Sequence, residues 1–156
     1  FLSAKSRFVV TRTQIPEIHV SDTGVVILVT FTNIGAEAAQ GTRVEIEVSN
    51  VFSGTTSDYL GTVEAGEEKT ASFVLDIDSN AKIGSYVLNQ RISWSQTGAT
   101  HLFTQDLSLK LNILENPLGK LLPNIIMTLL VIVAAVTIVV VARRRSHSSK
   151  MQAKQT

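Results

Sequence analysis

A chain of 156 residues is long enough for one domain of about 100–150 residues and an appendage. Hydrophobic residues make up 44% of it, which excludes wholesale disorder. The absence of Cys excludes a disulfide scaffold, a thiol nucleophile and Cys-based metal sites. Residues 1–119 carry eight Lys and Arg and all 13 Asp and Glu, a net charge of −5, whereas residues 143–156 carry five basic residues and no acid. The acidic N-terminal part argues against nucleic-acid binding.

The first 114 residues alternate between apolar and polar side chains in short runs, which predicts β-strands rather than helices. Thr42–Val48 is the most regular run, with Val44, Ile46 and Val48 on one face. Val25–Phe31 is almost wholly apolar, which predicts a central strand covered on both faces. The seven predicted strands are Phe8–Arg12, Val25–Phe31, Thr42–Val48, Tyr59–Val63, Phe73–Ile77, Tyr86–Ser95 and Leu107–Ile113.

Turn-forming residues separate these runs, and this spacing predicts an all-β immunoglobulin-like sandwich of about seven strands. Tyr86 and Trp94 share one face of their strand, so we expect both in or beside the core. Because the chain lacks disulfides, hydrophobic packing must stabilise this domain, assigned to residues 1–114. The predicted breaks between strands are Ser21–Gly24, Asn33–Gly35, Ser53–Gly54, Glu64–Gly66, Ser79–Gly84 and Thr97–Gly98.

Residues 121–142 form an uncharged, mostly apolar segment of 22 residues. A bilayer core about 30 Å thick needs roughly 20 apolar helical residues, so we predict one C-terminal transmembrane helix here. Thr128 and Thr137 inside it can return their hydroxyl bonds to the helix backbone. Residues 115–120 are the predicted linker, in which Pro117 cannot continue a central strand.

The basic residues that follow the predicted span indicate its orientation. Arg143–Arg145 follow it directly, so the positive-inside rule places the tail, residues 143–156, in the cytoplasm. The N-terminal domain is then extracellular or lumenal, in a single-pass type I arrangement. We expect the plasma membrane, or the endoplasmic reticulum membrane if the source is eukaryotic. The first residue is Phe1 rather than Met, consistent with a removed signal peptide or a trimmed chain.

No motif in the sequence predicts catalysis or a bound cofactor. The chain lacks a Gly-rich phosphate loop, a G-x-S-x-G motif and an H-E-x-x-H motif. His19 and His101 would need converging carboxylates to bind zinc, and His147 lies across the predicted membrane from them. We interpret His19 and His101 as solvent-facing residues at strand ends. We therefore assign no catalytic, cofactor-binding or metal-binding residue and expect no enzyme activity.

The predicted domain contains two clusters rich in acidic residues. Asp76, Asp78 and Asn80 have the odd spacing that begins a calcium loop. Such a loop would need Gly and Glu at the positions held here by Ala81 and Val87, so a solvated strand end and turn is favoured. The other cluster, which we interpret as a solubilising loop, is Glu64, Glu67 and Glu68.

Two stretches of the predicted domain resemble a known family. Residues 31–39, FTNIGAEAA, and 43–46, RVEI, resemble the N-x-G-x-x-x-A-x-x-V-x-V pattern of the cell-adhesion-related domains of archaeal surface proteins. In that pattern one strand ends at Asn-x-Gly and the next begins after small residues. Residues 60–66, LGTVEAG, and 70–75, TASFVL, resemble a second pattern of the same domains, in which a Leu, an Ile or Val, a Gly and a Phe recur at fixed spacing.

Extended through residues 84–88, GSYVL, and 91–95, RISWS, the series is also similar to the beta subunit of the translocon-associated protein complex. The resemblance covers roughly residues 25–145 and implies one immunoglobulin-like domain, one C-terminal span, a short basic tail and a non-catalytic role. The chain departs from that subunit because it has no N-x-S/T glycosylation acceptor and its tail is short.

These features leave three candidate functions. The first is an accessory or structural subunit of a larger membrane complex, with translocon or oligosaccharyltransferase subunits and the lipid bilayer as its partners. The second is a free-standing archaeal cell-surface or envelope anchor or adhesion protein. The third, a ligand-binding or enzymatic domain, lacks a candidate pocket or catalytic set. We expect the first, with neither nucleic acid nor a small-molecule substrate as partner.

Overall fold

The computed structural model describes residues 5–117, 125–134 and 136–137. The chain divides into two units, Phe1–Glu115 and Asn116–Thr156. Nine strands, all in the first unit, occur among the described residues. They are β1 (Phe8–Gln14), β2 (Ile18–His19), β3 (Val25–Asn33), β4 (Ala39–Glu47), β5 (Phe52–Thr55), β6 (Ser57–Val63), β7 (Glu68–Ile77), β8 (Gly84–Ser95) and β9 (Phe103–Leu114).

These strands form a two-sheet β-sandwich. One sheet has the order β1-β3-β7-β5 and the other the order β2-β9-β8-β4-β6. Neighbours pair antiparallel except β2 and β9, which run parallel. The chain changes sheet at every connection between consecutive strands except that from β8 to β9. The two shortest of these connections are residues 15–17 between β1 and β2 and Thr56 between β5 and β6.

Alternate side chains from both sheets fill one core, as the sequence predicts. Phe31 and Phe73 are fully buried, and Trp94 lies edge-on to Phe8 with ring centroids 5.2 Å apart. Tyr86 packs beside the core, with its ring centroid 5.2 Å from that of Phe52. The seven predicted strands correspond to β1, β3, β4, β6, β7, β8 and β9.

The prediction that Val25–Phe31 is covered on both faces is wrong. The inward residues of β3 are buried, but Val26 on the other face is 48% exposed. The β3 strand is central within its sheet, between β1 and β7. In a two-layer sandwich, however, each sheet has only one face against the other sheet.

The predicted break at Ser53–Gly54 is also wrong, because both residues lie in β5. Gly54 has φ +117°, and a Cβ added to it would lie 2.2 Å from the carbonyl oxygen of Val74 on the paired strand β7. The glycine therefore permits close approach of two strand backbones rather than a turn. The sequence did not predict β2 either, because a strand of two residues is too short to show an alternation of apolar and polar side chains.

Residues 125–134 and 136–137 of the second unit are helical. The hydroxyl of Thr137 donates to the carbonyl oxygens of Val133 and Ala134, at 3.0 and 2.7 Å, as the sequence predicts. Among the described residues there is no helix with the length and apolar character that crossing a membrane requires. The rest of the predicted span 121–142, residues 118–120 of the predicted linker 115–120 and the tail 143–156 lie outside the described residues.

Candidate interaction surface

The edges of the two sheets are the places where a sandwich can pair with another chain. Three of them are interrupted. A bulge lies between Val10 and Arg12 of β1, and β5 is only four residues long. At β6, the Lys69 ammonium donates to the carbonyl oxygens of Leu60 and Thr62, at 3.1 and 2.6 Å. These irregularities disfavour regular strand addition at β1, β5 and β6.

The edge of β9 is different, because the strand is long and regular. It pairs with β8 from Phe103 to Ile113 without a register shift. On its other side β2 pairs only with Ile113 and Leu114. Within the described part of the chain, Phe103–Asn112 therefore has a strand on one side only. We call this stretch the open edge of β9.

The main-chain groups along the open edge have a defined direction. The backbone N–H of Val20, just after β2, donates to the carbonyl oxygen of Leu114 at 3.1 Å, so Leu114 turns its main chain away from β8. Main-chain direction alternates along an antiparallel strand. Every second residue from Thr104 to Asn112 therefore turns its N–H and C=O outward, where they can bond an added strand.

A groove lies beside the C-terminal part of the open edge. It has a volume of about 320 Å³ and lies between β9 and residues 15–18, which lead from β1 into β2. The lining residues on β9 are Lys110, Leu111, Asn112 and Leu114.

Charged side chains on the outer face run across three strands to the open edge. Arg91 on β8 forms ion pairs with Glu47 on β4 at 3.0 Å and with Asp106 on β9 at 2.9 Å. The hydrogen bond that Arg91 donates to Asp106, with the charges of Asp106 and Glu47, raises the pKa of Arg91, which stays protonated. These exposed pairs add little stability. They do hold the Asp106 carboxylate at the rim of the sheet.

Gln105 closes the sandwich behind the open edge. Its amide oxygen accepts from the backbone N–H of Phe8 at 3.0 Å, and its amide nitrogen donates to the Phe8 carbonyl oxygen at 2.7 Å. The side chain thereby bonds β1 as a neighbouring strand would. This contact ties β1 of one sheet to β9 of the other.

The contacts of Asn33 give the Asn-x-Gly motif at residues 33–35 a structural explanation. Its side chain is fully buried, and all of its polar groups are paired. The amide oxygen accepts from the N–H groups of Arg7 and Gly35, at 3.2 and 3.0 Å. The amide nitrogen donates to the carbonyl oxygens of Glu37 and Val63, at 2.8 and 3.1 Å. One side chain therefore joins the start of β1, the loop after β3 and the end of β6.

Gly35 is required by the same junction. A Cβ at this position would lie 2.2 Å from the carbonyl oxygen of Lys5 and 2.5 Å from the Cα of Ser6. The loop after β3 and the N-terminal segment thus touch through their backbones. The motif is structural, and the sequence pattern alone does not reveal this.

The structure separates the two histidines of the domain. His19 pairs with Leu114 at one end of β9, whereas His101 lies two residues before the other end. The ring of His19 lies 3.3 Å from the Asp22 carboxylate, and His101 lies against Phe103. Among the described residues, no three His, Asp or Glu side chains are grouped to hold a metal ion.

The Asp76–Asn80 segment uses its oxygens within the fold. Asp76 accepts from the backbone N–H of Gly24 at 2.7 Å. Asp78 accepts from the backbone and side-chain nitrogens of Asn80, at 2.7 and 3.0 Å. These bonds close a strand end and a turn, in agreement with the favoured interpretation.

The second acidic cluster also forms a bonded turn. The Glu67 carboxylate accepts from the backbone N–H of Glu64 at 2.7 Å. Glu68 accepts from the hydroxyl of Thr32 at 2.9 Å. Glu64 and Glu67 lie in the loop that connects β6 and β7, and Glu68 is the first residue of β7.

Gln90 is a feature that the sequence analysis missed. It lies on the inward face of β8 between Leu88 and Ile92 and is fully buried. Neither its amide nitrogen nor its amide oxygen has a hydrogen-bond partner among the described residues, and the same holds for the indole nitrogen of Trp94. Gln90 lies two residues from both Leu88 and Ile92, and this spacing could have predicted that it shares their inward face.

No protein-family model matches this chain, and no curated protein matches it.

Proposed function

We propose that the chain is a non-catalytic, membrane-anchored accessory or structural subunit of a larger membrane complex. The segment 121–142 spans the membrane, and the basic tail 143–156 lies in the cytoplasm. The sandwich stands on the extracellular or lumenal side and binds protein partners. The partners proposed are subunits of a translocon or an oligosaccharyltransferase.

The side chains of the helical residues carry this proposal. Every large apolar side chain described there is between 54% and 63% exposed. A helix that is apolar all round is buried in protein or in lipid, and it has no polar face for water. The uncharged stretch in the sequence continues beyond it on both sides and reaches the length of a span. The side chains concerned are Ile125, Ile126, Met127, Leu129, Leu130, Val131, Ile132, Val133 and Val136.

The strand order supports an immunoglobulin-like interpretation of the sandwich. Immunoglobulin domains pair their first, second, fifth and fourth strands in one sheet and the third, sixth and seventh in the other. The sheet β1-β3-β7-β5 follows the first set, and β9-β8-β4 follows the second. The inter-sheet disulfide of antibody domains is absent, since the chain has no Cys.

A non-catalytic role is supported by how the polar groups are used. The buried Asn33 and the acidic side chain of Asp76 bond the backbone of neighbouring loops, and Asp78 and Glu67 bond the backbone of their own turns. These groups hold the fold together. The resemblance to the translocon-associated beta subunit supplies the class of partner.

The second candidate is a free-standing surface or adhesion protein. The open edge of β9 favours it, because a long regular edge can join one sandwich to another without a membrane-embedded partner.

Purification of the tagged full-length protein from native membranes in a mild detergent tests the proposal. We expect multi-span translocation or glycosyl-transfer subunits to copurify at a fixed ratio and to stay bound at moderate salt, since helix packing in the membrane is apolar. A matched preparation in which Leu130→Arg disrupts the apolar helix should lose these partners. Recovery of the protein alone, or with envelope proteins only, would contradict the accessory-subunit function and favour the second candidate.

A further inference from the structure

We propose that two copies of this chain pair with each other along the open edge of β9, antiparallel and about a two-fold axis at Ser108. The pairing does not depend on the proposed function. The occupant is a second copy, because the charges along this edge are complementary to themselves.

The outward side chains carry the argument. Asp106 and Lys110 lie two residues before and two residues after Ser108, and all three are exposed on the outer face. In an antiparallel pair centred on Ser108, Asp106 lies opposite the second copy's Lys110, and the contact occurs twice by symmetry. Opposite charges directly across a strand pair stabilise it. Arg91 already holds the Asp106 carboxylate at this rim.

The main chain fits the same register. Asp106, Ser108 and Lys110 belong to the set whose N–H and C=O turn away from β8. In the proposed pair, Ser108 meets its own copy, and each opposed pair exchanges two backbone hydrogen bonds.

The inward side chains also match in this register. Leu107 and Leu109 lie on the core face of β9 and pack against or within the core. Each would lie opposite the other residue of the second copy. The two hydrophobic cores would then continue across the joint sheet.

Neighbouring registers are worse, which makes the pairing specific. A shift that places Asp106 opposite its own copy brings two carboxylates together, and one that does the same for Lys110 brings two ammonium groups together. The intermediate shifts place each charge opposite an uncharged residue. Like charges directly opposite destabilise a strand pair.

The second strand would enter at the groove beside Lys110–Asn112. Neighbouring strands of a sheet lie about 4.8 Å apart. A joint sheet of this length buries less area than a standard protein–protein interface. We therefore expect a weak dimer that gains strength when several copies are held on one surface.

Cysteine cross-linking of the full-length protein in detergent tests the pairing and its register. The chain has no Cys, so Ser108→Cys introduces a single thiol. At the two-fold axis the two Cα atoms lie about 5.5 Å apart, within the range of a disulfide. Mild oxidation should give a disulfide-linked dimer of Ser108→Cys. The control is Thr104→Cys, on the same exposed face of β9 but opposite Asn112 of the second copy, and it should stay largely monomeric.

This control also separates the edge from the apolar helix. Association through the helix would bring both thiols near a second copy without regard to register. Equal cross-linking of the two variants, or none in Ser108→Cys, would therefore overturn the proposal.

A charge exchange gives an independent test. Asp106→Lys places Lys opposite Lys at this edge, and Lys110→Asp places Asp opposite Asp. Introduced into the Ser108→Cys background, each should lower dimer yield about tenfold when oxidised alone. A mixture of the two variants restores opposite charges at both contacts, and its yield should return to that of Ser108→Cys. Unchanged yields in the single variants, or no recovery in the mixture, would overturn the proposal.

Discussion

Asn33 shows how much of this fold depends on one buried amide. It uses both of its side-chain groups to join three segments that are distant in sequence. An isosteric carboxylate would keep the accepting oxygen and lose the donor to the carbonyl oxygens of Glu37 and Val63.

We therefore predict that Asn33→Asp lowers the free energy of unfolding by about 3 kcal/mol at neutral pH. The loss should shrink as the pH falls, because burial beside two carbonyl oxygens raises the pKa of the new carboxyl and its protonated form can donate. Denaturant unfolding at several pH values measures this. The control Asn112→Asp, exposed and an acceptor for Ser85, should change stability little. Equal effects of the two substitutions would contradict the role of Asn33.

Gln90 differs from Asn33, because its buried polar atoms have no hydrogen-bond partner among the described residues. Gln90→Met removes both polar atoms and nearly conserves the volume. We predict that it raises the free energy of unfolding by about 1–2 kcal/mol. Thermal and denaturant unfolding check this, and a loss of stability would show that Gln90 has a polar partner in solution.

At the scale of elements, β5 depends on a glycine that the sequence analysis assigned to a turn. The backbone of Gly54 passes so close to Val74 that a methyl group meets its carbonyl oxygen. Gly54→Ala should therefore separate β5 from β7 and lower the free energy of unfolding by roughly 2 kcal/mol or more. Gly66→Ala is the matched control: it also has a positive φ, at +80°, but open space at its Cβ, and should cost about 1 kcal/mol. Equal losses would contradict the close-contact explanation.

The apolar helix is the other element with a direct test. Leu130 lies within it and is exposed like its neighbours. Leu130→Arg should reduce the membrane-bound fraction after alkaline extraction, since Arg near the centre of a span costs about 3 kcal/mol on insertion. Leu130→Ile is the control and should remain membrane-bound. Full retention of the Arg variant would argue that residues 121–142 do not cross the bilayer.

At the scale of the whole molecule, the sequence predicts local structure well and neighbour relations poorly. Val44 and Ile46 in β4, like Leu109 and Leu111 in β9, alternate with polar residues, and this alternation identifies the strands and their inward faces. It can be read from the local sequence because successive side chains of a strand point to opposite faces. The open edge of β9 could not be read in this way. It depends on where β2 stops pairing, which is a property of the topology and not of β9 itself.

The candidate site was unpredictable for the same reason. Asp106 and Lys110 look like ordinary solvated charges in the sequence, and only the strand order places them at a free edge. Gln90 was missed because a polar residue inside an apolar series is normally assigned to the surface. The surroundings of all three residues are formed by other strands, which the local sequence does not specify.

The measurement that tests the central claim most directly is the accessibility of single thiols in sealed membrane vesicles. The chain has no Cys, so Ser72→Cys on the sandwich and Ser148→Cys in the basic tail each give one site. A maleimide that cannot cross membranes should label the two variants from opposite sides of the vesicle, and the sandwich site only from the extracellular or lumenal side. Labelling of both variants from the same side would contradict an anchor that spans the membrane.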